Sequence, residues 1–118
     1  MKRTGIQDWM ESYLKAWDSN EPEDIGRLFA ADGQYFTAPF REPWVGREGI
    51  VSGWLGRKDI PGEYSFKYEI LGVDENVGFV RGWTAYHHPP RTYSNLWVVN
   101  LNEKGECERF IEWWMQED

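Results

Sequence analysis

At Tyr64 the spacing of apolar residues along this chain changes from three-and-four to two, and that switch restricts the fold more than any other feature. Before it, Ile6, Trp9, Met10, Tyr13 and Trp17 recur at helical intervals and share one face of a helix predicted over residues 5–18. Ser19 and Asn20 stop that helix, and Pro22 sits where a first helical turn tolerates proline. A short second helix follows, with Ile25, Leu28 and Phe29 on one side, and Asp32-Gly33 breaks it. Gln34 to Ala38 reads as a short strand ending at Pro39, and Phe40 to Val45 as a loop without a clean period. Gly46 opens a third helix whose apolar face is Ile50 and Trp54, flanked by Val51 and Leu55. Gly49, Gly53 and Gly56 each weaken it by up to about 1 kcal/mol relative to Ala, unless they face a neighbour and permit close packing.

After the switch, Tyr64 to Leu71 alternates aromatic with polar residues, as a half-buried strand does. Further strands are predicted over 77–88, 92–101 and 106–115. Their connections, Asp74-Glu75-Asn76, Pro89-Pro90-Arg91 and Asn102 to Gly105, are short enough for hairpins, hence a four-stranded antiparallel meander. Helices first and strands later predict an α+β domain over 1–118, three helices packed on one face of a curved sheet.

Side-chain chemistry selects the pairing. Tyr68 opposite Gly82, Phe66 opposite Thr84 and Ile70 opposite Val80 leave Lys67, Glu69 and Arg81 together on the other face. A slip of one residue would send Arg81 inward, where an unpaired charge is costly. Across the Pro-Pro connection, Tyr86 falls near Asn95 and Thr84 near Trp97, and Tyr93, Asn95, Trp97, Val99 and Leu101 face inward. The last strand has two solutions. A four-residue turn sets Glu112 opposite Asn95, Phe110 opposite Trp97 and Trp114 opposite Tyr93. A three-residue loop with Gly105 left-handed turns Cys107, Ile111 and Trp113 inward instead. A β-bulge near Arg109 would reconcile them; the inward Glu112 is preferred.

Gly82 and Thr84 at the concave centre leave space that large residues would fill, so a cavity is expected between the layers. Aromatic residues make up 17% of the chain, enough to line it. The expected lining is Trp17, Tyr35, Trp54, Tyr68 and Tyr86, with Tyr93, Trp97, Phe110 and Trp114. On the opposite face Phe79, Trp83, Leu96 and Val98 gather near Ile111 or Trp113, an apolar patch suited to a homodimer through the convex sheet.

The net charge of −7 repels phosphate backbones and excludes a nucleic-acid partner. No run approaches the roughly 20 apolar residues of a membrane span, and the N-terminus lacks a signal-peptide apolar run. Cys107 is the single cysteine, which fits a reducing, cytoplasmic setting. One Cys and two adjacent His make no zinc pattern, and with no phosphate-binding glycine loop no metal or cofactor is expected.

Several stretches carry a resemblance: Tyr13 to Asn20, Asp24 to Gly33, Trp44 to Ile50, and the terminal hairpin from Tyr93 to Gly105. In this order the chain resembles the NTF2-like superfamily, in its SnoaL-like branch. The resemblance implies a cone-shaped α+β barrel with a pocket, often a dimer packed through the sheet. It does not imply one reaction, because the superfamily holds isomerases, cyclases, dehydratases, epoxide hydrolases and non-catalytic binders. In the ketosteroid isomerase branch an aspartate before the proline of the short strand is the general base; here that position is Ala38. The oxyanion-donating tyrosine of that branch has a counterpart in Tyr13, although a tyrosine there also serves as an ordinary core residue. SnoaL-type cyclases use an acidic residue on the late sheet, and Glu112 is the nearest by position.

An inward Glu112 among Trp97, Phe110 and Trp114 would have its pKa raised by desolvation, with Asn95 orienting it. His88 is the other titratable residue on the inward parity, and Arg41, Glu42 and Arg91 are candidates for the rim. The candidate catalytic set is therefore Glu112, Asn95, Tyr13 and His88. Two classes of function follow: acid–base catalysis on a small hydrophobic molecule, or non-catalytic binding of an apolar or cationic one. A purely structural dimerisation module would instead have its cavity filled.

Overall fold

The computed structural model describes residues 2–117. Helix α1 (Arg3–Ser19) is followed by α2 (Pro22–Arg27), strands β1 (Phe29–Phe36) and β2 (Trp44–Val45), and helix α3 (Gly46–Gly56). Four long strands complete the chain: β3 (Tyr64–Asp74), β4 (Val77–His87), β5 (Pro90–Leu101) and β6 (Cys107–Gln116). They form one mixed sheet in the order β2-β1-β6-β5-β4-β3. The fold is α+β, a curved sheet covered by three helices. Among the described residues no helix is long and apolar enough to cross a membrane.

Helix α1 buries the predicted stripe of Ile6, Trp9, Met10, Tyr13 and Trp17. It ends at Asn20, whose left-handed backbone (φ 52°) lets its N–H cap the carbonyl of Ala16 at 2.8 Å. The stripe lies on the concave face of the sheet, close enough that a Cβ on Gly78 would meet Ile6 at 2.7 Å. Arg47 ties the layers together at one end. Its guanidinium donates to the carbonyls of Gly26 (3.0 Å) and Phe29 (2.8 Å) and to Glu106 (3.2 Å).

The expected meander β3-β4-β5-β6 is present, but it is extended by two strands. Phe29 begins β1 rather than continuing the second helix, because its strand runs parallel to β6 and Cys107 N–H donates to the Leu28 carbonyl at 2.8 Å. Trp44–Val45, expected in a loop, pairs with Gln34 and Tyr35. These are long-range pairings that outweigh local preference.

Register in the first hairpin is as predicted, with Phe66, Tyr68 and Ile70 opposite Thr84, Gly82 and Val80. Glu69 and Arg81 meet on the outer face at 3.7 Å. Two registers differ from expectation. The β4–β5 turn takes only His88 and Pro89, joined by a cis peptide bond, so Thr84 pairs with Tyr93 and Asn95 with Gly82. Trp97 rather than Asn95 pairs with Glu112, and Asn95 with Trp114. Both offsets are even, so the inward set keeps its facing. In β6, Gly105 is left-handed (φ 81°) and an irregularity separates Cys107 from Arg109. Glu108 and Arg109 both point outward, which buries Cys107 as well as Phe110 and turns Glu112 inward. Ile111 and Trp113 lie on the outer face.

The three glycines of α3 differ in their surroundings. A Cβ on Gly53 would lie 2.3 Å from the Trp44 ring, whereas none would be crowded at Gly49 or Gly56. Gly53→Ala is therefore expected to lower stability by about 1–2 kcal/mol despite better helix propensity. Gly49→Ala should raise it by about 0.5–1 kcal/mol. Urea denaturation midpoints of the two variants, moving in opposite directions, check this contrast.

Candidate functional site

Between the helices and the concave sheet lies a cavity of about 360 Å³. Its deep end is Tyr13 of α1 and Tyr35 of β1, whose hydroxyls share a hydrogen bond of 2.8 Å. The rings of Trp54 and Trp97 pack against Tyr13 at 4.9 and 4.7 Å between centroids. Trp44 stacks on Tyr35. Burial pushes both phenols well above their ordinary range, and the nearby Glu112 carboxylate adds to the effect. They remain neutral donors and acceptors at any ordinary pH.

Glu112 enters from β6. Its Oε2 accepts hydrogen bonds from Asn95 Nδ2 and Trp97 Nε1, both at 2.9 Å. Asn95 is oriented in turn by Thr84, whose hydroxyl donates to Asn95 Oδ1 at 2.8 Å. Three adjacent strands thus supply one line of hydrogen bonds ending on the carboxyl group. The Oε1 atom takes no hydrogen bond from the described residues. Since no enclosed side-chain oxygen among them lacks a partner, Oε1 is open to the cavity. Burial raises the pKa of Glu112 above its ordinary 4.5; the bonds from Trp97 and Asn95 and the charge of Arg57 oppose the rise, and Asp59 adds to it.

A second carboxylate, Asp59, follows α3 and faces the same cavity, with Trp17 Nε1 (3.0 Å) and Tyr86 OH (3.2 Å) both donating to its Oδ2. Arg57, Lys58 and Trp114 are exposed and form the mouth with Arg91, whose guanidinium lies 4.4 Å over the Tyr86 ring.

The expected residues divide clearly. Glu112, Asn95 and Tyr13 come together in the cavity, with Trp17, Tyr35, Trp54, Tyr86, Tyr93, Trp97 and Trp114 around them. His88 does not line it: it occupies the β4–β5 turn, its side chain 81% exposed and 3.8 Å from Glu63. Tyr68 lies away from the lining residues, its hydroxyl accepting from Gln7 at 2.8 Å. Phe110 is fully buried behind the cavity wall, stacked on Tyr35 at 4.4 Å. Ala38 is buried and brings no carboxylate. Arg91 reaches the rim, while Arg41 and Glu42 are not among the lining residues. Asp59, Arg57 and Trp44 had no periodic signal to reveal them. No cluster of three or more His, Cys, Asp or Glu suited to a metal occurs among the described residues. Cys107 is buried, and its thiol is pushed up to about 12 by that burial, so it is inert.

An α+β cone of this kind defines the NTF2-like class. The sequence profile of the SnoaL-like domain matches residues 10–113, and the chain belongs to that family. No protein of curated function matches it significantly. Among solved structures it is similar to a ketosteroid isomerase-like protein from Erwinia carotovora atroseptica, with 17% identity, 97% and 96% of the two chains covered and a TM-score of 0.68. An NTF-2 like protein of unknown function from Burkholderia xenovorans has 13% identity, 100% and 88% coverage and a TM-score of 0.78. SalBIII, an epoxide hydrolase/cyclase-like enzyme of pyran ring formation in the polyether salinomycin, has 11% identity, 92% and 89% coverage and a TM-score of 0.76.

The raised pKa of Glu112 has a consequence for stability. A carboxyl group that binds its proton more tightly when folded loses stabilisation as pH rises from its unfolded value through its folded one. Glu112→Gln, which keeps an acceptor oxygen, should therefore be more stable than the wild type at mildly alkaline pH. The difference should close as pH falls towards the ordinary carboxyl value, as read from urea midpoints across pH.

Proposed function

We propose that this protein is an enzyme of the isomerase, cyclase or hydrolase kind that holds a small, largely apolar molecule in the cavity and uses Glu112 for proton transfer. One observation carries the reading: Glu112 is fixed through Oε2 by two donors while Oε1 is open to an aromatic cavity. Burial raises its pKa above the ordinary carboxyl value and so favours the protonated form, the state in which a carboxyl group acts as a general acid. Tyr13 is a neutral hydrogen-bond donor at the deep end, suited to polarise a carbonyl or epoxide oxygen. The ketosteroid isomerase-like and epoxide hydrolase/cyclase-like neighbours support this class of chemistry. Ala38 argues against the proton-abstraction route that needs a base before Pro39. A cavity of about 360 Å³ favours either ligand reading over a purely structural module.

A second reading has its own support. Two carboxylates among indole and phenol rings suit a small organic cation. Strong quenching of tryptophan emission by alkylammonium ions, together with no turnover of any uncharged compound, would favour it.

A panel of small epoxides and unsaturated ketones tests the enzymatic reading. For any compound turned over, Glu112→Gln should lower kcat about 100-fold or more with thermal stability retained; unchanged kcat removes Glu112 from the mechanism. Activity that depends on the protonated acid should fall as pH rises through the raised pKa. Tyr13, Tyr35 and Tyr86 lie near that group; burial raises its pKa, the hydrogen bonds of Trp97 and Asn95 and the charge of Arg57 oppose the rise, and Asp59 adds to it.

We propose, further, that the outer sheet face forms a homodimer. Leu96 and Trp113 pair directly there and are 37% and 41% exposed, next to Phe79, Val98 and Ile111. Light scattering should give a dimeric mass at micromolar concentration and a monomeric one for Trp113→Glu; a wild-type monomer refutes the interface.

A further inference from the structure

The two carboxylates of the cavity are held in the same way from opposite layers. Glu112 belongs to the sheet, and Asp59 to the segment leaving α3. Each places one oxygen on two donors, one of them an indole N–H: Trp97 for Glu112, Trp17 for Asp59. The segment carrying Asp59 is itself pinned. Asn20 Nδ2 donates to the Asp59 carbonyl at 3.1 Å, and Trp54 Nε1 donates to Asn20 Oδ1 at 3.0 Å. Asp59 lines the cavity, and its Oδ1 takes no hydrogen bond from the described residues and is accessible.

A solvated surface aspartate has no need of this arrangement. Trp17 is a buried residue of α1 and Tyr86 a half-buried residue of β4, so their donors orient the carboxylate from both layers. A carboxylate so fixed at an aromatic cavity, with its second oxygen accessible and free of protein hydrogen bonds, is a preorganised proton acceptor.

From this geometry we infer that Asp59 is a second catalytic residue, the base that works across the cavity from the Glu112 acid. The inference rests on the acid–base reading of Glu112. The reaction class it points to moves two protons on one substrate. Asp59 Oδ1 takes a proton from a carbon or hydroxyl of the bound molecule, and the electron pair released forms a new bond within it. The bond that breaks in consequence leaves its pair on an oxygen or carbon, which receives the proton of Glu112. Substrate atoms are conserved, the two carboxyl groups exchange states, and solvent resets them. Isomerisation, and ring closure by an internal hydroxyl on an epoxide, both have this form.

A nitrobenzisoxazole tests the base without knowledge of the natural substrate. A carboxylate takes the C–H proton of its isoxazole ring, the C–H electron pair completes a nitrile, and the N–O bond breaks with its pair left on the phenolate oxygen of the single ring-opened product. The wild type should open the ring faster than acetate at equal concentration. Asp59→Asn should lower kcat about 100-fold with KM unchanged, and formate should restore turnover to Asp59→Ala, a rescue that a merely structural aspartate would not give. Glu112→Gln should affect this probe less, because a phenolate departs with little acid assistance. Full activity in Asp59→Asn, with turnover abolished in Glu112→Gln, overturns the inference and leaves Glu112 as the sole proton-transfer group. A wild type no better than acetate overturns the assignment of Asp59 as a base, while the Glu112 reading stands or falls with the epoxides and unsaturated ketones.

Discussion

Between Cys107 and Phe110 the last strand carries one residue more than its partner, and the direction of every later side chain in β6 follows from that insertion. Side chains alternate along a strand, so one added residue exchanges inside for outside beyond it. Cys107 and Phe110 are both fully buried because Glu108 and Arg109 both face out. Without the insertion, a strand that buried Cys107 would turn Arg109, Ile111 and Trp113 inward and expose Glu112. The carboxyl group in the cavity and the tryptophan on the outer face are thus two results of one local irregularity.

Around that carboxyl group the packing is nearly continuous aromatic surface. Tyr13 touches Trp54, Trp97 and Phe110, and Trp17 stacks on Tyr64 at 4.3 Å. Rings of this size are stiff and hold their indole and phenol groups in fixed directions. Four indoles spend their N–H groups on named acceptors: Trp9 on the Leu28 carbonyl, Trp17 on Asp59, Trp54 on Asn20, Trp97 on Glu112. The same residues that line the cavity therefore also aim its acidic groups. Small residues at the sheet centre complete the design. Thr84 sits at the start of the hydrogen-bond line to Glu112, and Gly82 accommodates the Phe66 ring, which a Cβ would meet at 2.6 Å.

Much of this was legible in the sequence, where the signal was local. The face of α1 and the inward parity of β3, β4 and β5 follow from spacing alone, and they correctly brought Tyr13, Asn95 and Trp97 to one side. Pairing offsets were less legible, because they depend on turn length: His88-Pro89 is a shorter connection than the Pro-Pro-Arg sequence suggested, and Tyr86 moved from Asn95 to Arg91. Parity survived because the offset is even, whereas His88 left the cavity because the turn absorbed it. The parallel pairing of β1 with β6 joins segments separated by helix α3 and the strands β2 to β5, and no local pattern encodes it. Asp59 was invisible for a related reason. A charged residue in an aperiodic loop looks like any solvated one until Trp17 and Tyr86 arrive from distant elements.

Glu112 and Asp59 are attached to the molecule differently. Glu112 belongs to a strand that runs between β5 and β1, and it pairs with Trp97 of β5 directly after the last β1 pair at Ile111. Asp59 hangs on the connection between α3 and β3, a segment of the kind that tolerates insertion and exchange over evolutionary time. Lengthening or shortening that connection would change the separation of the two carboxylates without disturbing a single strand pair. In carboxylate enzymes generally, such a separation decides whether water, or a group of the substrate itself, fits between the acid and the base. A lineage built on this frame can therefore explore different reaction outcomes by editing a few loop residues, with the acid left where the sheet holds it.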